Sequence, residues 1–253
     1  MKAQPVRGVL ADRFRGGAVI GLLALEADAT IEDEWRALLP ADRAGFYTGR
    51  VACDTEITPE TLLRVERPLR ASVRSLLPGT ELDVIAFACT SASLFLGEAR
   101  VSALVKEARP GVEVTTPLTA AKAALERVQA TRLGVLTPYV DEINGPLVEN
   151  LSAHGFEVVS LASFFVGNDI DVVRITDAAI ADGARQVAAA SVDAVFIACT
   201  ALRASGLVPA LELEFGVPVT TSNHALAWHS LELAGVRGVL PGRGQLFDMS
   251  RGG

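Results

Sequence analysis

Short apolar runs alternate along the chain with segments whose apolar residues recur at helical spacing. A continuous apolar run is typical of a parallel strand, because helices cover both faces of such a sheet. Strands that alternate with amphipathic helices predict βαβ units and a parallel sheet. The predicted strands are 17–25, 82–89, 110–117, 131–138, 156–165, 192–199 and 215–223.

Helical spacing predicts the connections between these strands. In the segment 27–39, Trp35, Leu38 and Leu39 recur on one helical face. The predicted helices are 27–39, 61–77 with one internal proline, 93–108, 140–155 ending at a glycine, and 176–190.

One strand-to-cysteine junction occurs twice. The stretch LDVIAFACTSAS covers residues 82–93, and VDAVFIACTALR covers residues 192–203. Each consists of an acidic residue, an apolar run and then Ala-Cys-Thr, so that Cys89 and Cys199 follow matched strands. Ligands bind outside the carboxyl ends of strands in open parallel sheets, which places both thiols where a ligand would bind.

The repeat extends beyond the cysteines, since VTTP at 114–117 and VTTS at 219–222 each end a half. A duplicated unit explains this spacing. We therefore predict an α/β protein with two similar parallel-sheet, flavodoxin-like lobes, a pseudo-twofold axis and an active site between them. The predicted lobes are 1–117 with 222–253, and 118–221.

A single cysteine after an apolar run is more often a small core residue than a reactive one. Two cysteines at matched positions, each followed by threonine, favour the functional interpretation. Cys53 has no counterpart in the other half and is interpreted as structural.

Composition narrows the class of protein. The 253 residues carry a net charge of −7 and no basic run, which argues against nucleic acid or a membrane surface as a partner. No apolar stretch reaches the roughly 18–20 residues of a membrane span, and the start lacks a signal-peptide core. We expect a cytoplasmic protein with reduced thiols. The three cysteines and three histidines form no ligand-spaced cluster, so no metal is expected.

Two opposed thiols permit a specific chemistry. One removes a proton or adds to carbon, and the other delivers a proton from the opposite side. A helix N-terminus lowers a thiol pKa, and a Cys-Thr between a strand and a helix has that environment. Hydroxyl and N–H donors at Thr90, Ser91 and Thr200 can stabilise a substrate carboxylate, so no cofactor is needed.

The paired Cys-Thr junctions resemble the aspartate/glutamate/hydantoin racemase superfamily, and more closely its branch with maleate isomerase and arylmalonate decarboxylase. The resemblance runs from about Ala18 to the GRGQLFD ending at 242–248. Within that branch, PGTELDVIAFACTSAS, VLTPY and FIACTAL are most similar to the ectoine-utilisation isomerase-like proteins known as EutA. The double cysteine argues against decarboxylation, since the decarboxylases keep only the second cysteine.

The resemblance implies roles for individual residues. Cys89 and Cys199 match the catalytic pair, while Thr90, Ser91, Thr200 and the hydroxyl of Tyr139 match donors to the substrate.

Asn168 falls where maleate isomerases carry a substrate-binding asparagine, and the alternative is a turn residue. Asp28 stands where they carry another asparagine, and an aspartate would repel a dicarboxylate. It would suit an ammonium group or orient Cys89, and the alternative is a helix N-cap.

The expectation is thus a cofactor-independent isomerase or racemase that acts on a small carboxylate or amino-acid-like substrate and forms a homo-oligomer. Covalent cysteine addition, as in maleate isomerisation, and a decarboxylase-like enzyme are the alternatives among enzymes. A small-ligand binding protein is the alternative outside enzymes.

Overall fold

The computed structural model describes residues 7–9, 11, 16–236 and 238–249. The first half of the chain alternates strands and helices, as the hydrophobic pattern predicts. Its elements are β1 (Ala18–Leu25), α1 (Ile31–Leu38), β2 (Ala44–Val51), α2 (Pro59–Arg64), α3 (Glu66–Ser75), β3 (Val84–Ala88), α4 (Thr90–Leu96), α5 (Glu98–Ala108) and β4 (Glu113–Thr115).

The second half repeats the alternation. Its elements are α6 (Pro117–Arg127), β5 (Arg132–Thr137), α7 (Asp141–Ala153), β6 (Glu157–Ser163), α8 (Asp169–Val172), α9 (Asp177–Ala188), β7 (Ala194–Ile197), a 3₁₀ helix (Ser205–Leu207), α10 (Val208–Phe215), β8 (Val219–Thr221), α11 (Ser222–Leu233) and α12 (Gln245–Asp248).

The strands form two four-stranded sheets with the same order, β2-β1-β3-β4 and β6-β5-β7-β8. Every strand pair is parallel, with Ile20 opposite Val84 in the first sheet and Leu133 opposite Ala194 in the second. The order is that of a flavodoxin-like sheet, whose switch point lies between the first and third strands. This confirms the prediction of two similar parallel α/β lobes.

Burial explains why the apolar runs become strands. All eight residues of β1 are buried, as are all five of β3, because helices cover both faces of each sheet. In α1 the buried residues are Ile31, Glu34, Trp35 and Leu38, which recur at helical spacing. Trp35 packs edge-to-face on Phe46, with ring centroids 5.6 Å apart. Glu34 is therefore a carboxylate on an otherwise apolar helix face.

Three parts of the sequence prediction are wrong in detail. The strand β2 is missing from it, because an edge strand is only partly buried and its sequence AGFYTGRV shows no apolar run. The predicted helix 61–77 is two helices that meet at Val65. The predicted helix 93–108 starts earlier, at Thr90, and Gly97 interrupts it with a φ of +83°.

Helices at the ends of the two halves join the lobes, since α6 and α11 pack along each other. The division into 1–117 with 222–253 and 118–221 stays a prediction, and its residues 1–6, 10, 12–15, 237 and 250–253 lie outside the described ones. Within the described chain, no helix has the length and apolar character that crossing a membrane requires.

Candidate active site

Cys89 lies at the carboxyl end of β3 and is the N-cap of α4. Its Sγ accepts a hydrogen bond from the N–H of Ala92 at 3.3 Å and lies 3.6 Å from the hydroxyl of Ser91. N–H groups at a helix start favour a negative charge on the capping atom. The local geometry at Cys89 is therefore suited to holding a thiolate.

Cys199 follows β7 at the matched position but has a different backbone. Its φ is +102°, a region that a non-glycine residue occupies at a cost of about 1–3 kcal/mol. Residues 200–201 form a turn, residues 202–204 are irregular, and the next helix begins only at Ser205. The expectation that both cysteines start a helix is therefore wrong for Cys199. Strain of this kind is concentrated at functional sites.

Ser222, the first residue of α11, links the two cysteine junctions. Its Oγ accepts a hydrogen bond from the backbone N–H of Cys199 at 3.0 Å and shares another with the Thr90 hydroxyl at 2.8 Å. The Thr200 hydroxyl in turn donates to the carbonyl of Ala88 at 3.4 Å. The two halves of the repeat thus meet at their Cys-Thr junctions.

Burial dominates the ionisation of both thiols. It raises the pKa of Cys89 to about 12, and the charge of Asp169 raises it further while the N–H of Ala92 lowers it. Burial and the charge of Asp169 also raise the pKa of Cys199, and a charge on Cys89 adds to this. The expected net lowering of the thiol pKa by a helix N-terminus is therefore wrong, because desolvation is the larger effect.

Tyr139 follows β5 and is 1% exposed. Its hydroxyl is buried and makes no hydrogen bond within the described structure, yet it lies close enough to Cys199 and Thr90 for each to affect its pKa. Burial raises that pKa, so the hydroxyl is a proton donor. The Tyr139 hydroxyl therefore lies beside the two cysteine junctions, and its role as a donor to a substrate stays a prediction.

Asn168 is the N-cap of α8. Its Oδ1 accepts from the N–H of Asp171, and its Nδ2 donates to the Asp171 carboxylate, both at 2.9 Å. These local hydrogen bonds agree with the alternative that Asn168 is a turn residue. Its role in substrate binding stays a prediction.

Asp28 caps the start of α1 through one oxygen only. Its Oδ1 accepts from the N–H groups of Thr30 at 2.8 Å and Ile31 at 3.0 Å, which is a capping contact, although the N-cap residue of α1 is Thr30 and not Asp28. The Thr200 hydroxyl lies near enough to lower its pKa, but burial is the larger effect and raises it. Asp28 therefore also faces the second cysteine junction.

Sequence reasoning missed Asp169, which lies next to the predicted Asn168 and whose charge acts on both thiols. It also missed a buried polar network behind Thr200. There Asn223 donates to the Thr200 carbonyl and to Glu34, each at 2.7 Å, and Glu34 accepts from the Ser205 N–H at 2.7 Å. The available signal was a glutamate on the apolar face of α1.

Cys53 follows β2 and is half-buried. The backbone N–H groups of Glu26 and Ala27 lie near its thiol, and its charge interacts with Cys89. Cys53 is therefore near enough to Cys89 to affect its pKa, which sequence reasoning did not predict. In the described part of the chain, no three His, Cys, Asp or Glu side chains are grouped so that they could hold a metal ion.

Each of the two parallel α/β sheets ends one strand in a cysteine, at the edge where such sheets bind small molecules. Comparison with known proteins identifies the family. Residues 20–247 match the family profile described as arylmalonate decarboxylase, or Amdase. The chain belongs to this family.

Its relatives include two kinds of enzyme. The maleate isomerase of Nocardia farcinica is 29% identical over 239 residues, which cover 90% of this chain and 94% of that protein. The arylmalonate decarboxylase of Bordetella bronchiseptica is 29% identical over 172 residues, or 66% of this chain and 72% of that protein.

Solved structures share the fold. The Nocardia farcinica maleate cis-trans isomerase bound to TRIS superimposes with a TM-score of 0.80 at 26% identity, over 91% of this chain and 98% of that one. A cysteine-to-serine mutant of the same enzyme, with a covalently bound succinylcysteine intermediate, gives a TM-score of 0.83 at 24% identity, over 92% and 99%.

Proposed function

We propose that the protein is a cofactor-independent isomerase that acts on a small carboxylate through Cys89 and Cys199. The observation that carries the proposal is the contact between the two Cys-Thr junctions through Ser222. This contact links the junctions of two cysteines that are 110 positions apart in the chain, which supports a shared site. Thr90, Ser91, Thr200 and the unpartnered Tyr139 hydroxyl are the proposed donors to the substrate.

Cys89 is the thiol that we expect to ionise first. Its Sγ caps the start of α4 and accepts from the N–H of Ala92 beside the Ser91 hydroxyl, whereas Cys199 does not begin a helix. In a racemase or epimerase, Cys89 would take the proton from the α-carbon. Cys199 would then return a proton to the other face, with the charge held on the substrate carboxylate.

Covalent addition is the second route. The Cys89 sulfur forms a bond to one alkene carbon, the double bond becomes single, and Cys199 protonates the neighbouring carbon. Rotation and reversal of these steps release the trans isomer. The succinylcysteine intermediate in the Nocardia farcinica enzyme shows this type of adduct in a relative.

Decarboxylation is an alternative because arylmalonate decarboxylase is one of the relatives. It is the weaker one, since this chain has a cysteine, Cys89, at the end of β3, and the resemblance implies that the decarboxylases keep only the second cysteine. The resemblance to ectoine-utilisation proteins supports a role in ectoine breakdown with an amino-acid-like substrate. We also propose that the protein is cytoplasmic and forms a homo-oligomer.

The first test replaces each cysteine with serine and measures turnover in a screen of small unsaturated and amino acids. Cys89→Ser and Cys199→Ser are expected to abolish turnover while the circular-dichroism spectrum stays native. Cys53→Ser removes the third thiol and is expected to keep turnover. Substantial activity in both single variants of the pair would overturn the mechanism.

Exchange with deuterated solvent separates the two routes. Racemisation introduces deuterium at the α-carbon at the rate of turnover, whereas addition and rotation return the alkene without obligatory exchange. Tight ligand binding without turnover, unaffected by loss of either thiol, would instead support a binding protein.

A further inference from the structure

Two carboxyl groups from different lobes lie next to the cysteine pair. Asp28 follows β1, and Asp169 begins α8 after β6. The Asp169 N–H donates to the carbonyl of Thr55 at 3.0 Å, which ties this end of α8 to the first half of the chain. The charge of Asp28 acts on Asp169, and the charge of Asp169 acts on both thiols. Thr30, two residues after Asp28, donates from its hydroxyl to the carbonyl of Ala201 at 3.0 Å, so the segment with Asp28 contacts the second cysteine junction.

Asp28 is hydrogen-bonded through only one of its oxygens. The residue is 6% exposed, and its Oδ2 is buried with no hydrogen-bond partner in the described structure. A buried carboxylate oxygen without a donor costs free energy that a bound N–H group would recover. The Tyr139 hydroxyl, which also has no partner, lies beside the thiols. The nearest polar groups are the Thr200 hydroxyl for Asp28 and the Thr90 hydroxyl and Cys199 thiol for Tyr139, and none of them makes a well-formed hydrogen bond to these two buried oxygens.

One basic side chain among the described residues acts on the two carboxyls, and only on Asp28. The charge of Arg50 lowers the pKa of Asp28, but burial outweighs it, and the guanidinium donates to the carbonyls of Leu25 and Asp28 and forms an ion pair with Glu32. Burial and the charge of Asp28 raise the pKa of Asp169 to about 7, and no basic residue opposes them. Two desolvated carboxylates repel each other unless a cation lies close to both.

We propose that Asp28 and Asp169 form a paired carboxyl site that binds a cationic nitrogen group of the substrate beside the cysteines. This inference rests on the proposed isomerase function and names its substrate class: a small acid that carries an ammonium or amidinium group. The carboxylate of that acid meets the hydroxyls of Thr90, Ser91 and Tyr139. A dicarboxylate is disfavoured, because its second negative charge would meet Asp28 and Asp169.

Thiol alkylation by reagents of opposite charge tests the site. The probes are 2-bromoethylamine, a cation, and iodoacetate, an anion, with rates at Cys89 and Cys199 measured by peptide mass spectrometry. Each rate is divided by the rate with free 2-mercaptoethanol, which removes the intrinsic reactivity of the reagent. The normalised ratio of cation to anion is expected to be about tenfold in the wild-type protein, since a carboxylate attracts one reagent and repels the other.

Asp28→Asn and Asp169→Asn are each expected to lower that ratio about fivefold. Asparagine keeps the Oδ1 acceptor at position 28, so the cap of α1 is preserved. Asp171→Asn is the matched control, because Asp171 lies on the same short helix with its side chain 53% exposed. Its ratio is expected to equal that of the wild type.

A ratio near one in the wild type, or an equal fall in the Asp171→Asn control, would overturn the carboxyl site. The two proposals fail separately. If turnover depends on Cys89 and Cys199 but the charge preference is absent, only the carboxyl site is refuted. If turnover does not depend on these cysteines, the isomerase mechanism is refuted.

Discussion

Ser222→Ala tests whether the bridge between the two junctions is needed. The Ser222 side chain is completely buried and hydrogen-bonds to the Cys199 N–H and to Thr90. Two hydrogen bonds are worth about 1 kcal/mol each, and the orphaned N–H costs a further 1–3 kcal/mol. We expect a loss of about 3 kcal/mol in the free energy of unfolding, and a fall in Tm of about 6–12 °C.

The loss is expected to reach the active site as well. Cys199 has a φ of +102°, and its N–H bond to Ser222 helps to hold that strained backbone. Without the bond, the backbone that positions the Cys199 thiol loses this support. We therefore expect turnover to fall, and the iodoacetamide labelling rate of Cys199 to change more than that of Cys89.

Ser230→Ala is the control on the same helix. Ser230 is equally buried, but its hydroxyl donates only to the carbonyl of Leu226 within α11. Alanine has a higher helix propensity than serine, so the net loss should stay below about 1 kcal/mol. Urea unfolding followed by circular dichroism measures both variants. Equal midpoints for Ser222→Ala and Ser230→Ala would refute the reasoning.

Two further predictions concern stability. Burial lowers the pKa of His224 from 6.5 to about 4, so the unfolded chain binds the extra proton first as the pH falls. The stability contributed by neutral His224 is complete above pH 6.5, and about 3 kcal/mol of it is lost as the pH falls towards 4. Urea unfolding at several pH values should show a smaller dependence of the unfolding free energy on pH for His224→Gln. Gly134→Ala would place a Cβ 2.8 Å from the Val187 carbonyl oxygen and should destabilise, whereas Gly145→Ala on α7 meets no atom within 4 Å and should not. Equal melting temperatures for these two glycine variants would contradict the packing argument.

The central strands could be predicted because residues that are buried on both faces of a sheet form a continuous apolar run. The runs at 17–25 and 82–89 are apolar throughout, since both faces of β1 and β3 are covered. The repeat likewise predicted that the two Cys-Thr junctions would meet. The edge strand β2 was not predicted, because a partly buried strand has no continuous apolar run.

The site was predicted less completely, because polar roles depend on contacts that are distant in sequence. Asp169 acquires its influence on the thiols only through the placement of α8, and Glu34 reaches Asn223 across 189 positions. The thiol pKa values were mispredicted for the same reason. Local capping at Cys89 was visible in the sequence, but the depth of burial was not.

The backbones of the two cysteines differ, so the two sides of the candidate site are not equivalent. Two identical halves around a twofold axis would present the same group to both faces of a flat reaction intermediate. Here one sulfur lies at a helix start, and the other lies on a residue with a positive φ. In the proposed isomerase, the divergence of the two duplicated junctions would make the two sides of the substrate chemically distinguishable.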